Sequence, residues 1–227
     1  LHVKTSTLET TVTTAYAGMV TGKMPSEFYT PRFSKDGAHL FIELRKIPEK
    51  VAKDTMELKE EFLSLDIWSW TDTIIQPAQI KALKRDKEDG ILAVLHTSDM
   101  KLVALESGNV PDVRFDTENV TEWLLGTNDK ANQKSLSWNY PIAEDVYAVN
   151  SKTGEVKLMV KGLQGNASIS PTGKYVYGYS KPQQEWFVVE IANKRRFKLN
   201  TFSAPVWNVE NDIPALPGAY GVAGWSE

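Results

Sequence analysis

The sequence has no cysteine among its 227 residues, which excludes disulfides, thiolate zinc sites and a cysteine nucleophile together. That absence leaves the compartment open, since a reducing cytoplasm and an exported protein that folds without bridges both suit it. Histidine is nearly as scarce, with only His2, His39 and His96, all in the first half. Long apolar runs are missing too: "ILAVL" is strand-sized and far short of a membrane span. A net charge of -3 provides no basic excess of the kind that nucleic-acid binders carry. The cluster Lys194, Arg195 and Arg196 reads as a solvated turn between strands. No signal peptide is visible, but the chain starts at Leu1, as a processed or excised piece would. What remains, 41% hydrophobic and 24% charged residues, is the composition of an ordinary globular protein with a sizeable core.

What is present is a repeat. "LHVKTSTLET", "LDIWSWTDTI" from Leu65, "MKLVALESGN", "DVYAVNSKTG" and "EWFVVEIANK" each alternate apolar residues over about six positions and then turn polar. Period-two alternation means a strand with one buried face, and the polar tail means a turn. A second series, "FSKDGAHLFI", "KRDKEDGILAVL", "LLGTNDKANQ", "SISPTGKYVYGY" and an unfinished "AGWSE", supplies hairpin-type turns built on Asp, Asn and Gly. Markers at Gly37, Gly90, Asp129, Gly173 and Glu227 fall at intervals of about 53, 39, 44 and 54 residues, near the length of one four-stranded propeller blade. A single such sheet cannot hide both faces, whereas stacked sheets can. The expected fold is therefore all-β: a β-propeller of about four complete four-stranded blades plus partial blades, all within one domain spanning 1–227. Trp68, Trp70, Tyr147, Trp186 and Phe187 are expected on its half-covered sheet faces. A β-sandwich is the competitor, but its strands recur at shorter spacing without a four-strand period.

One stretch interrupts the strands. In "KIPEKVAKDTMELKEEFLSL", residues 46–65, Val51, Met56, Leu58, Phe62 and Leu65 form a loose helical stripe, so a short helical or loop insertion is expected on one rim. The closing Gly224-Trp225-Ser226-Glu227 resembles the start of a G-x-S-x-G nucleophile elbow. Its lead-in "IPALPGAYGV" is too rich in proline and glycine to be a buried parallel strand, and no acid or histidine follows it. Ser226 therefore reads as a turn serine, and the three histidines as strand or turn residues, so no catalytic residue is expected. Gly218, Gly221 and Gly224 have the wrong spacing for a dinucleotide fingerprint. Asp112, Asp116 and Asp129 are not set out as a calcium loop. Neither a metal nor a cofactor is expected. Asn119-Val120-Thr121 and Asn166-Ala167-Ser168 match the glycosylation sequon.

"FSKDGAHLFI", "LDIWSWTDTIIQPAQIKALKRD", "DVYAVNSKTGEVKLMVKGL", "SISPTGKYVYGYS" and "ENDIPALPGAYGVAGWSE" resemble the N-terminal propeller region of bacterial prolyl oligopeptidase-like (dipeptidyl-peptidase-like) serine peptidases. The resemblance implies a parent in which an α/β-hydrolase domain, absent from this chain, carries the Ser, Asp and His. The propeller would cap that active site and filter peptide substrates. In the dipeptidyl-peptidase branch, two adjacent glutamates on a propeller helix hold the substrate's amino terminus. Glu60 and Glu61 are adjacent and lie in the expected insertion, where two carboxylates could converge on an ammonium. The residues around them depart from that branch's motif, and "KEE" also suits a solvated helix face. The second functional reading is a stand-alone propeller that binds protein partners. A periplasmic or otherwise exported setting is expected over the cytoplasm. An arc of blades that does not close would expose sheet edges, so self-association through them is expected.

Overall fold

The computed structural model describes residues 2–5, 8–48, 67–199 and 216–225, with side chains from residue 12 onward. Two short strands, β1 (His2–Thr5) and β2 (Leu8–Thr11), form an antiparallel hairpin. Three antiparallel sheets follow one another along the chain. The first sheet has the order β3-β5-β6-β7, formed by Lys23–Pro25, His39–Lys46, Ile91–His96 and Leu102–Ala104, with β4 (Arg32–Phe33) added beside β5. The second runs β8-β9-β10-β11, from Asp112–Arg114, Trp123–Asn128, Glu144–Asn150 and Val156–Leu163. The third runs β12-β13-β14-β15, from Gly165–Ile169, Tyr175–Ser180, Glu185–Glu190 and Arg196–Lys198. Among the described residues there are three such sheets, where the repeat spacing implied about four.

Strand alternation decides which side chain enters which core. In β5, Leu40, Ile42 and Leu44 point to one face of the first sheet, where with Ala93, Leu95 and Leu102 they pack on Val12, Tyr16, Met19 and Val20. Phe41 points to the other face and meets Leu92, Val94 and Val103 of its own sheet and Val110, Val113, Leu124 and Val149 around the second. Its ring also stacks on Phe115, centroid to centroid 3.8 Å. The same switch occurs one residue along in β9: Leu124 belongs to this core, whereas Leu125 faces away. With Val146, Ala148 and Val160, Leu125 packs on Ala167, Val176, Phe187 and Val189 of the third sheet. The middle sheet is thus buried on both faces, and its two cores are built from alternate residues of the same strands.

Polar joints tie neighbouring sheets at their ends. The turn before β5 donates Lys35 N–H to Thr117 O at 2.8 Å, and Lys35 pairs with Glu118 at 2.6 Å. Asn119, the first sequon asparagine, donates its side-chain amide to Pro171 O at 2.9 Å, linking the β8–β9 loop to the turn before β13. That turn, Ser170-Pro171-Thr172-Gly173, closes through Gly173 N–H to Ser170 O, with Gly173 at φ +68. A Cβ there would stand 2.7 Å from Thr121 Cβ. Gly173→Ala is accordingly expected to lower stability by about 1–2 kcal/mol from the left-handed backbone alone, read as a drop in thermal midpoint. An unchanged midpoint would show that the turn relaxes freely.

The β5–β6 connection departs from the sequence reading. Lys46 ends β5, so it is no part of a helix, and 49–65 of the expected 46–65 insertion lie outside the described residues. The helix that is seen, α1, spans Gln76–Glu88. Pro77 sits in its first turn, where no N–H is needed, Ala78, Ala82 and Leu83 favour the helix, and Arg85 and Lys87 lie at its negative end. The Asp89-Gly90 marker, read as a hairpin turn, is the end of this helix, with Asp89 N–H donating to Arg85 O at 2.8 Å. The strand expected from Leu65 is not formed over 67–75, which is turn and coil.

Candidate functional site

Among the described residues, a cleft of about 450 Å³ lies between the 67–78 segment and the loop that follows β9. Sequence alternation placed Trp68 and Trp70 on sheet faces; instead they are 66% and 86% exposed and line this cleft with Trp138, 74% exposed. Ile74, Ile75 and Leu136 complete its apolar lining. Scattered exposed apolar residues need no explanation, but three indoles converging on one concave surface do.

Local hydrogen bonds shape both walls. On one side Gln79 Nε2 donates to Asp72 Oδ2 at 3.2 Å and to Ile74 O at 2.6 Å, holding the coil against the start of α1. On the other, Asn132 N–H donates to Asp129 O at 2.8 Å, and its side-chain amide reaches Ala143 O at 2.8 Å, closing the base of the loop. A 3-10 turn, Gln133–Ser135, then lifts Trp138, whose N–H donates to Ser135 O at 3.0 Å. Gln133 Nε2 donates to Asp129 Oδ1 at 2.9 Å. Lys134 bridges the walls: its ammonium lies 5.2 Å over the Trp70 ring. Among the described residues it has no carboxylate within 4.0 Å, and the indole N–H groups of Trp68, Trp70 and Trp138 have no hydrogen-bond partner.

Other chemistry-bearing residues are placed as follows. His39 and His96 face one another across β5 and β6 with ring centroids 5.0 Å apart. His96 Nε2 lies 2.9 Å from Ser151 O. Burial, then the neighbouring His96, holds the His39 imidazole below its usual range. Glu106, between β7 and β8, was not singled out by any motif. Its Oε2 accepts Leu92 N–H at 2.7 Å and its Oε1 accepts Val113 N–H at 3.1 Å, so one carboxyl joins the first sheet to the second. Burial pushes it up to about 7 in spite of those two donors. Nothing in sequence spacing marks such a residue, because its partners are backbone groups of two separate strands.

Glu60, Glu61 and Ser226 lie outside the described residues, and His2 is described only as part of β1. The described residues hold no group of three or more His, Asp or Glu placed to bind a metal ion, and none of their helices is long and apolar enough to cross a membrane.

No protein-family model matches the sequence, and no curated protein matches it. Solved structures similar to the chain include a dihydro-heme d1 dehydrogenase, NirN, at 13% identity, covering 85% of this chain and 39% of that one with a TM-score of 0.28. Another is a protein assigned as a 6-phosphogluconolactonase from Bacteroides fragilis, at 15% identity, covering 78% of this chain and 54% of that one, also with a TM-score of 0.28. Both are propeller-like. The chain spans less than two thirds of the length of either, and likeness at this level transfers no function.

Proposed function

We propose that this chain is the non-catalytic propeller segment of a prolyl oligopeptidase-like serine peptidase, capping the active site of a hydrolase domain and filtering peptide substrates. One observation supports it most: three consecutive antiparallel sheets, one of five strands and two of four, share cores face to face, and the middle one is buried on both faces. Radially stacked blades bury themselves in this way, with each sheet covering its neighbours. Chemistry would then reside in the hydrolase domain, with the propeller contributing shape. Glu60 and Glu61 are the candidate ligands for a substrate's amino terminus, and open blade edges would favour self-association.

The test is the complete reading frame that encodes this chain. It is expected to contain a G-x-S-x-G motif after residue 227, then Asp and His, and its full polypeptide should be labelled at that serine by a fluorophosphonate. A frame without that order of residues, or a full polypeptide that resists labelling, would overturn the proposal. The exposed aromatic cleft favours a second reading, a stand-alone propeller that binds protein partners. The same reading frame separates the two, since a scaffold carries no hydrolase domain.

A further inference from the structure

The cleft between the 67–78 segment and the loop after β9 holds two carboxylates, Asp72 and Asp129, and one ammonium, Lys134. Each carboxylate receives one side-chain amide donor, on Asp72 Oδ2 and on Asp129 Oδ1. The second oxygen of each has no donor among the described residues. Among the described residues the lining therefore carries a net negative charge beside exposed indole faces, and its charge complement is a cation with an apolar stem. The protein already shows what such a cation does here. Lys134 lays its ammonium over Trp70 at 5.2 Å, with no carboxylate of the described residues within 4.0 Å. The face of an indole ring is the strongest aromatic partner for an ammonium or guanidinium group.

We propose that this cleft binds the lysine or arginine side chain of an extended peptide, with the alkyl stem against Trp68, Trp70 and Trp138 and the charged head between Asp72 and Asp129. Lys134 is an internal occupant that the ligand displaces from Trp70. A cleft of about 450 Å³ is within the range of small-ligand sites. The indole N–H groups are available to a peptide's carbonyl oxygens, which an extended backbone presents. The choice of a peptide rather than a free amine rests on the peptide-filter reading above. The two can fail separately, because the serine-labelling test does not involve the cleft.

The experiment titrates the protein with N-acetyl-Ala-Lys-Ala-amide, its arginine counterpart and the norleucine analogue, following tryptophan fluorescence. Norleucine keeps the stem and removes the charge. The cationic peptides are expected to bind about tenfold more tightly than the norleucine one, a ratio between those of an exposed and a fully desolvated cation–π contact. Trp70→Ala should abolish that preference, and Asp72→Asn with Asp129→Asn should reduce it. Lys134→Met is the decisive variant: removing the internal competitor should tighten lysine-peptide binding severalfold, an effect that a merely structural Lys134 would not produce. Equal affinity for norleucine, weaker binding in Lys134→Met, or saturable binding of acetyl-lysine amide at the same affinity as the tripeptide would each overturn the proposal. Trp70 and Lys134 are surface residues, and circular dichroism of each variant checks that the fold is retained.

Discussion

Replacing Glu106 with alanine is expected to lower the unfolding free energy by about 2–4 kcal/mol, because two backbone donors lose their acceptor together. Those donors, Leu92 N–H and Val113 N–H, belong to buried residues of different sheets, and water has little access to take the place of the carboxyl. Urea unfolding of the wild type and the variant gives the difference directly. A loss below the cost of one unsatisfied donor would mean that the two sheets part enough to admit water.

The same residue predicts the sign of a pH dependence. Burial raises the folded-state pKa of Glu106 to about 7, against an ordinary value of 4.5. Between those two values the folded protein holds a proton that the unfolded chain has released. The contribution of this group to stability therefore falls as pH rises through that window and levels off above about 7. Glu106→Gln removes the titration while keeping one acceptor, so its urea midpoint should fall less steeply between pH 5 and 8 than that of the wild type. Parallel profiles would move the titration to another group. Glu43, also raised by burial, and Asp112 are the acids whose charges act on Glu106.

Phe187→Ala is expected to cost about 3–5 kcal/mol, as befits a large ring removed from a closed core. The side chain is 0% exposed and packs where the third sheet meets Leu125, Val146 and Val160 of the second. Gly178 lies opposite it on β13, where a Cβ would stand 2.9 Å from the Phe187 ring, so the ring fills its space closely. Phe197→Ala on β15, where the ring is 37% exposed, serves as the control and should change stability far less. Comparable losses in the two variants would mean that the shared core contributes little, and with it the stacked-sheet account of the fold.

Much of the fold was legible because strand periodicity is a local property. "DVYAVN", "YVYGYS" and "EWFVVE" alternate, and they became β10, β13 and β14. The turn "SPTG" closes as its composition implied. The 67–75 stretch shows the limit. "LDIWSWTDTI" alternates as well as any strand, but its described residues, from Ile67 on, are turn and coil, and its tryptophans line the cleft. Alternation says which side chains would share a face, not whether a sheet is there to receive them.

The sequence by itself determined the class of fold and the repeating unit, since two-residue alternation and Gly, Asn and Asp turns act within a few residues of one another. It also determined what chemistry is out of reach: nothing that needs a thiol is open to a chain without cysteine. Only the tertiary structure decided which face of each sheet meets which neighbour, that Glu106 joins two sheets through backbone donors, and that Trp68, Trp70 and Trp138 converge. Those three tryptophans come from segments about 70 residues apart in the sequence, and their meeting depends on how α1 and the loop after β9 are set beside one another, a long-range choice to which no local pattern is sensitive.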